Sequence, residues 1–207
     1  HTKKCTIALF GMFYALSAYS AAYSWNIMWL DCIVLIPLIM LGLEKLVDEN
    51  KCYLYCISLG LCIFTNYYIM VCISVCLYFI VLMIAYDGDK SFGIYIKKIL
   101  RWIFYSLIAG GLAACLLLPE MYTFSLSASS STSFPTKLTS YFSVMEMLVR
   151  QLINVPVHLG LEHYPNIYCG VAVFLLIPLY IMNKKIKPAE KIGKCIILLV
   201  FLLAFNL

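Results

Sequence analysis

Tyr23-Ser24-Trp25-Asn26-Ile27-Met28-Trp29-Leu30-Asp31 is a polar and aromatic corner set between two long apolar runs. Upstream, Cys5 to Ala22 is almost wholly apolar. Downstream, the chain from Cys32 to Leu46 is apolar until it meets Glu44, Lys45, Asp48 and Glu49. Two tryptophans, an asparagine and an aspartate between stretches of membrane length read as a hairpin tip at a bilayer surface, where amphipathic rings prefer to sit. Asp31 falls a little inside the second run, a depth at which a carboxylate must face protein or water.

The rest of the composition agrees with that tip. Of the 207 residues 64% are hydrophobic and 12% charged, and the mean hydropathy is +0.94. A soluble domain carries about 25% charged residues, so the reading is an all-α, polytopic transmembrane helix bundle. The net charge of +5 does not signal nucleic acid, because the lysines are scattered between apolar runs instead of sharing one face. Ten cysteines lack the CxxC spacing of a zinc site, and in these apolar runs they serve as small hydrophobes. No metal site and no cofactor is indicated. The chain opens on His1 and stops at Leu207 within an apolar run, which reads as an internal piece of a longer membrane protein forming one integral membrane domain, 1–207.

About seven spans are expected, near 5–23, 27–46, 53–66, 67–86, 99–118, 167–182 and a truncated 195–207. Cys52 to Ala85 as one helix would reach roughly 50 Å, well past a hydrocarbon core of about 30 Å, so a break is expected at Thr65-Asn66-Tyr67-Tyr68. With that break, all of the 15 basic residues except Lys137 and Arg150 fall on one side, which the positive-inside rule makes cytoplasmic. The fragment's N-terminus is then inside and the corner at Asn26 outside. Pro37 and Pro178 lie within spans as kinks. Asp87-Gly88-Asp89 is an ordinary turn.

The segment 119–166 is the one sizeable extracytoplasmic loop. Pro119 is expected to end the helix that starts near Ile99. A flexible serine-rich run follows, and then Phe142 to Val155 forms a surface helix with Met145, Leu148, Val149 and Leu152 on its apolar face. Three polar clusters sit at the outer ends of spans: Asn26, Trp29 and Asp31; Asn66, Tyr67 and Tyr68; and Glu120 with His158, Glu162, His163, Asn166 and Tyr168. In a compact bundle they would surround one outer-leaflet cavity. The plainer reading makes Asn66 and Asn166 helix-start caps and the aromatics interface anchors. His158 and Glu162-His163 have ligand chemistry, but Gly160 and the Tyr-Pro-Asn that follows favour a structural or substrate-contacting role over metal. Arg150 is an outer-face cation suited to a lipid phosphate.

The motifs Tyr14-Ala15-Leu16-Ser17, Ala22 to Asp31, and Leu35-Ile36-Pro37-Leu38-Ile39 resemble the YfhO family of bacterial membrane proteins. Thr65-Asn66-Tyr67-Tyr68-Ile69 and Pro165-Asn166-Ile167-Tyr168-Cys169-Gly170 follow in the same order. The likeness covers most of the chain. It implies a GT-C-type glycosyltransferase that takes a sugar from a polyprenyl-phosphate carrier and transfers it, outside the bacterial cytoplasmic membrane, to a cell-wall polymer such as lipoteichoic acid. Enzymes of this type carry their catalytic acid in the first outer loop. The chain begins downstream of that loop, so the catalytic residue is unknown, with Asp31 and Glu120 as supporting carboxylates. Asn26, Trp29, Asn66, Tyr67, Arg150, His163, Asn166 and Tyr168 are the substrate-binding candidates.

Two other classes stand beside the transferase. A lipid or polysaccharide transporter or flippase would place ionisable groups at mid-membrane and carry inverted repeats. Here the polar groups gather at one face and no repeat is evident, which favours the transferase. A non-catalytic membrane scaffold is the third reading.

Overall fold

In the computed structural model of the protein, residues 2–66, 69–86, 91–126, 142–152 and 166–204 are described. Their regular structure is all helix, with no strand among them. Among the described residues ten helices follow in order: α1 Thr2–Ala15, α2 Ala18–Ala22, α3 Ile27–Asp48, α4 Tyr53–Thr65, α5 Ile69–Ala85, α6 Phe92–Leu112, α7 Ala114–Leu126, α8 Val144–Val149, α9 Val171–Met182 and α10 Pro188–Ala204. Pro37 and Pro178 lie inside α3 and α9, as expected. Two compact units are present. One comprises His1–Ile27, Lys137–Lys187 and Leu198–Leu207; the other comprises Met28–Thr136 and Pro188–Ile197.

Among the described residues no single helix is long and apolar enough to cross a membrane. The longest, α3, measures about 33 Å at 1.5 Å per residue, but it carries Asp31, Glu44, Lys45 and Asp48. Together α6 and α7 have the length and composition of a span, bent by 79°. That bend corrects the expectation that Pro119 would end the helix. The break falls at Ala113, just after Gly110-Gly111, and Pro119 lies within α7. Two glycines each cost a helix about 1 kcal/mol relative to alanine, so the chain yields there. The helix also starts earlier than Ile99, at Phe92, and residues 119–126 are helix instead of loop.

The break at Asn66 is present. Asn66 closes α4 with an extended backbone, its N–H bonded to the Cys62 carbonyl at 2.9 Å, so it caps a helix end and not a helix start. At the other end of the α3–α4 hairpin, Asn50 takes the left-handed conformation (φ 59°) that asparagine tolerates better than most residues. Lys51 there bonds Glu49 at 2.6 Å, and that hydrogen bond, with the lysine's charge, holds the exposed Glu49 carboxyl below the usual range.

The second unit is built around the contact of α4 with α6. Gly60 lets the two backbones approach, since a Cβ there would lie 3.3 Å from the Ala109 carbonyl. Tyr55, fully buried, accepts a hydrogen bond from Trp102 Nε1 at 3.0 Å and meets Ser106 Oγ at 2.8 Å. Ser106 spends its one proton on the Trp102 carbonyl, so the tyrosine hydroxyl is the donor to Ser106. Trp102 in turn stacks on Phe79, with ring centroids 4.3 Å apart. Lys98 donates to the Val47 carbonyl near the end of α3 and lies 4.0 Å from the Tyr86 ring centroid. Large apolar side chains such as Phe92, Leu107, Leu118, Leu175 and Leu179 remain exposed, far more than a water-facing surface carries.

Tyr55→Phe strands the Trp102 N–H and the Ser106 hydroxyl pair, and is expected to cost about 1–3 kcal/mol, read as a lower unfolding midpoint in detergent. Gly42→Ala places a methyl 2.6 Å from the Tyr55 backbone nitrogen. Overpacking of about 1–3 kcal/mol then outweighs the roughly 1 kcal/mol gain in helix propensity. At Gly111 a Cβ meets nothing within 4 Å, so Gly111→Ala is expected to keep or raise the midpoint; thermal melting of the two variants side by side checks both.

Candidate functional site

The first expected span does not run through. α1 ends at Ala15, and Ser17, with extended backbone (ψ 155°), starts the short α2. In an unbroken helix the Ala18 N–H would bond the Tyr14 carbonyl; here it donates to the Tyr168 carbonyl at 2.8 Å. The acceptor lies in an irregular stretch, residues 166–170, which leads into α9. Gly170 closes that stretch at φ 104°, a conformation that glycine alone adopts without strain. Ser17 Oγ meets Ser20 Oγ at 3.3 Å.

These two irregular segments, with α8 and α9, wall a cavity of about 390 Å³ that lies within the first unit. The volume is in the range of small-molecule sites, about 300–1,000 Å³. Most of the lining is apolar, including Met147, Leu148, Val173, Phe174 and Ile177, while Ser17, Gln151 and Asn166 supply amide and hydroxyl groups. Gln151 ties the wall together. Its Nε2 donates to the Ile167 carbonyl at 3.2 Å, and its Oε1 lies 3.9 Å from the Cys169 thiol, which donates to it.

Of the expected site residues, Asn166 and Tyr168 line this cavity, and Asn166 is buried. Asn166 stands five residues ahead of α9 and so does not cap it. Asn26, also buried, belongs to the same unit and directly precedes α3. Arg150, half-buried, ends α8 beside Gln151 but is not part of the cavity wall. Trp29, Asp31, Asn66 and Glu120 belong to the second unit: Asp31 exposed on α3, the other three half-buried. Asn66 contributes its carbonyl, which accepts the Cys32 thiol at 3.5 Å. Tyr67, Tyr68, His158, Glu162, His163 and Lys137 lie outside the described residues.

The surface helix is shorter than expected. α8 covers Val144–Val149, and a turn at Arg150-Gln151 ends it. Its apolar stripe of Met145, Leu148, Val149 and Leu152 stays exposed while Met147 is buried. No three histidine, cysteine or acidic side chains gather in a metal-binding arrangement among the described residues. All ten cysteines are free thiols.

Sequence reasoning missed Ser17, Gln151 and Cys169 as parts of one wall. Its signal lay in two motifs, Tyr14 to Ser17 and Pro165 to Gly170: Ala18, the residue after the first, donates to the Tyr168 carbonyl in the second. The chain matches the family described as bacterial membrane protein YfhO over residues 1–207. It belongs to the YfhO family. No curated protein and no solved structure matches it. Membership in YfhO, a family of bacterial membrane proteins, accounts for the exposed apolar side chains, which lipid and not water would cover.

Gly170→Ala leaves ordinary contact with the Phe13 ring (3.7 Å) but forces alanine to φ 104°. A cost of about 1–3 kcal/mol is expected, read as a lower unfolding midpoint. Gln151→Leu frees the Ile167 carbonyl and the Cys169 thiol, and is expected to speed alkylation of Cys169 relative to the exposed Cys195.

Proposed function

We propose that this YfhO-family chain is part of a membrane glycosyltransferase of the GT-C type. It moves a sugar from a polyprenyl-phosphate carrier to an extracytoplasmic cell-wall polymer such as lipoteichoic acid. The helices cross the cytoplasmic membrane about seven times, with the lysine-rich turns inside and the corner at Asn26 outside. The reaction needs a base for the acceptor hydroxyl and donors for the departing phosphate. Asp31 and Glu120 are the carboxylates for supporting roles. Arg150 and His163 are phosphate partners, and Asn26, Trp29, Asn66, Tyr67, Asn166 and Tyr168 contact substrate.

The observation that carries a substrate site is the cavity beside Asn166 and Tyr168, where two interrupted backbones meet. Irregular backbone at membrane depth is tolerated where it is buried in protein or lines a cavity. Sugar transfer itself is supported by the likeness of the quoted motifs to the family. Interrupted helices are also a feature of transporters, whose sites form where helices break; the pairs α1–α2 and α6–α7 favour that second reading.

Membranes carrying the protein, given a labelled polyprenyl-phosphate sugar and lipoteichoic acid, are expected to transfer label to the polymer. Arg150→Ala is expected to lower the rate about a hundredfold, the size of losing one transition-state donor, and Asp31→Asn to lower it about tenfold or more. Transfer that both variants leave unchanged overturns the residue roles. Absence of transfer with every sugar offered, together with carrier-lipid movement in sealed vesicles, replaces the transferase by the transporter.

A further inference from the structure

We propose that the cavity of the first unit is a site for one hydrocarbon chain of a membrane lipid, with the lipid's charged head left outside. The inference deepens the transferase reading but does not depend on it, since any role of a membrane protein allows a bound lipid chain.

Three observations lead there. First, among the described residues none that lines the cavity carries a charge, so a phosphate inside it would find no counter-ion from them to offset its desolvation. Arg150, next to the cavity residue Gln151, lies outside the wall, which places the nearest cation of α8 beyond the chain site. Second, the polar groups of the wall are largely engaged with one another. Both ends of the Gln151 amide are bonded within the wall, and the Tyr168 carbonyl is taken by Ala18. A sugar, with a hydroxyl on nearly every carbon, would find few free partners here. Third, about 390 Å³ bounded by Met147, Leu148, Val173, Phe174, Ile177 and Leu198 is too large to stay empty without forfeiting the contacts of its walls. Water would need several polar partners at once, which a wall made mostly of apolar side chains does not gather. A hydrocarbon chain satisfies all three conditions.

Two lipids supply such a chain, the polyprenyl carrier and an ordinary bilayer phospholipid, and the test separates them. The purified protein in nanodiscs is exposed to polyprenyl phosphate or phosphatidylglycerol, each with a photoreactive diazirine on its chain, and cross-linked peptides are mapped. Labelling of 147–151 or 166–177 above the level at Leu100 and Leu112, which are exposed on α6 and report bulk lipid contact, is expected. Val173→Trp, which fills the cavity, is expected to lower it about tenfold, as when roughly two methylene groups lose their burial. Labelling by the polyprenyl probe alone identifies the carrier's chain; labelling by phosphatidylglycerol identifies a structural lipid. Labelling no greater than at Leu100, or unchanged in a folded Val173→Trp protein, overturns the proposal.

Alkylation of Cys169 supplies a readout in the unaltered protein. Added polyprenyl phosphate or phosphatidylglycerol is expected to slow it relative to Cys195, and no slowing with either counts against the site. Sugar transfer measured on the same preparations keeps the two ideas apart, because transfer without cavity labelling removes the chain site and leaves the transferase.

Discussion

A backbone amide in hydrocarbon has no water to turn to, so each interruption of a helix must be repaired from within the protein. The repair at Ala18 is the one on which the candidate site depends. Its N–H leaves the carbonyl that an unbroken helix would have offered and takes that of Tyr168, far away in sequence. One hydrogen bond of 2.8 Å thus joins the first motif of the chain to the last. The cavity is the space left where two irregular backbones cannot pack as closely as two helices do.

The second unit handles the same constraint differently. Among its described residues the turn at Asn50 joins α3 to α4, and polar side chains are closed on one another: Trp102 to Tyr55, Tyr55 to Ser106, Ser106 back to the Trp102 carbonyl. A closed circuit of this kind leaves no donor or acceptor unpaired in an apolar interior, where an unpaired group is costly. Small residues do the rest. Gly42 lies against the backbone of Tyr55, and Gly193 against the Val81 side chain. Close approach of backbones is the usual way helices associate when lipid offers no hydrophobic drive. This unit holds its own cavity of about 290 Å³ between regular helices, beside Tyr55 and Trp102, whereas in the first unit the cavity lies where regular structure gives way.

Helix class, the break at Asn66 and the apolar nature of the surface were legible in the sequence because they depend on composition and on neighbours within a few residues, whereas the breaks at Ser17 and Ala113 were not. The break at Asn66 followed from the length a helix can have across a bilayer, and Pro37 and Pro178 read as kinks because membrane helices accommodate proline. Pro119 misled because proline in a sequence reads as a helix end, whereas the adjacent pair Gly110-Gly111 weakens the helix first. The site was legible only in part. Asn166 and Tyr168 were singled out as polar residues beside a span, but Gln151 was not, because only the fold brings it against Ile167 and Cys169.

The sequence by itself determined that this is an apolar, all-helical chain of the YfhO family, since composition and local motifs carry that information without reference to folding. Only the tertiary structure decided which interruptions meet. Whether Ser17 begins a new helix, whether Gln151 bonds a carbonyl or water, and whether Cys169 faces a wall or lipid all depend on pairings between residues distant along the chain. Such pairings are fixed by the need to satisfy buried polar groups in three dimensions, a condition that no local pattern of residues encodes.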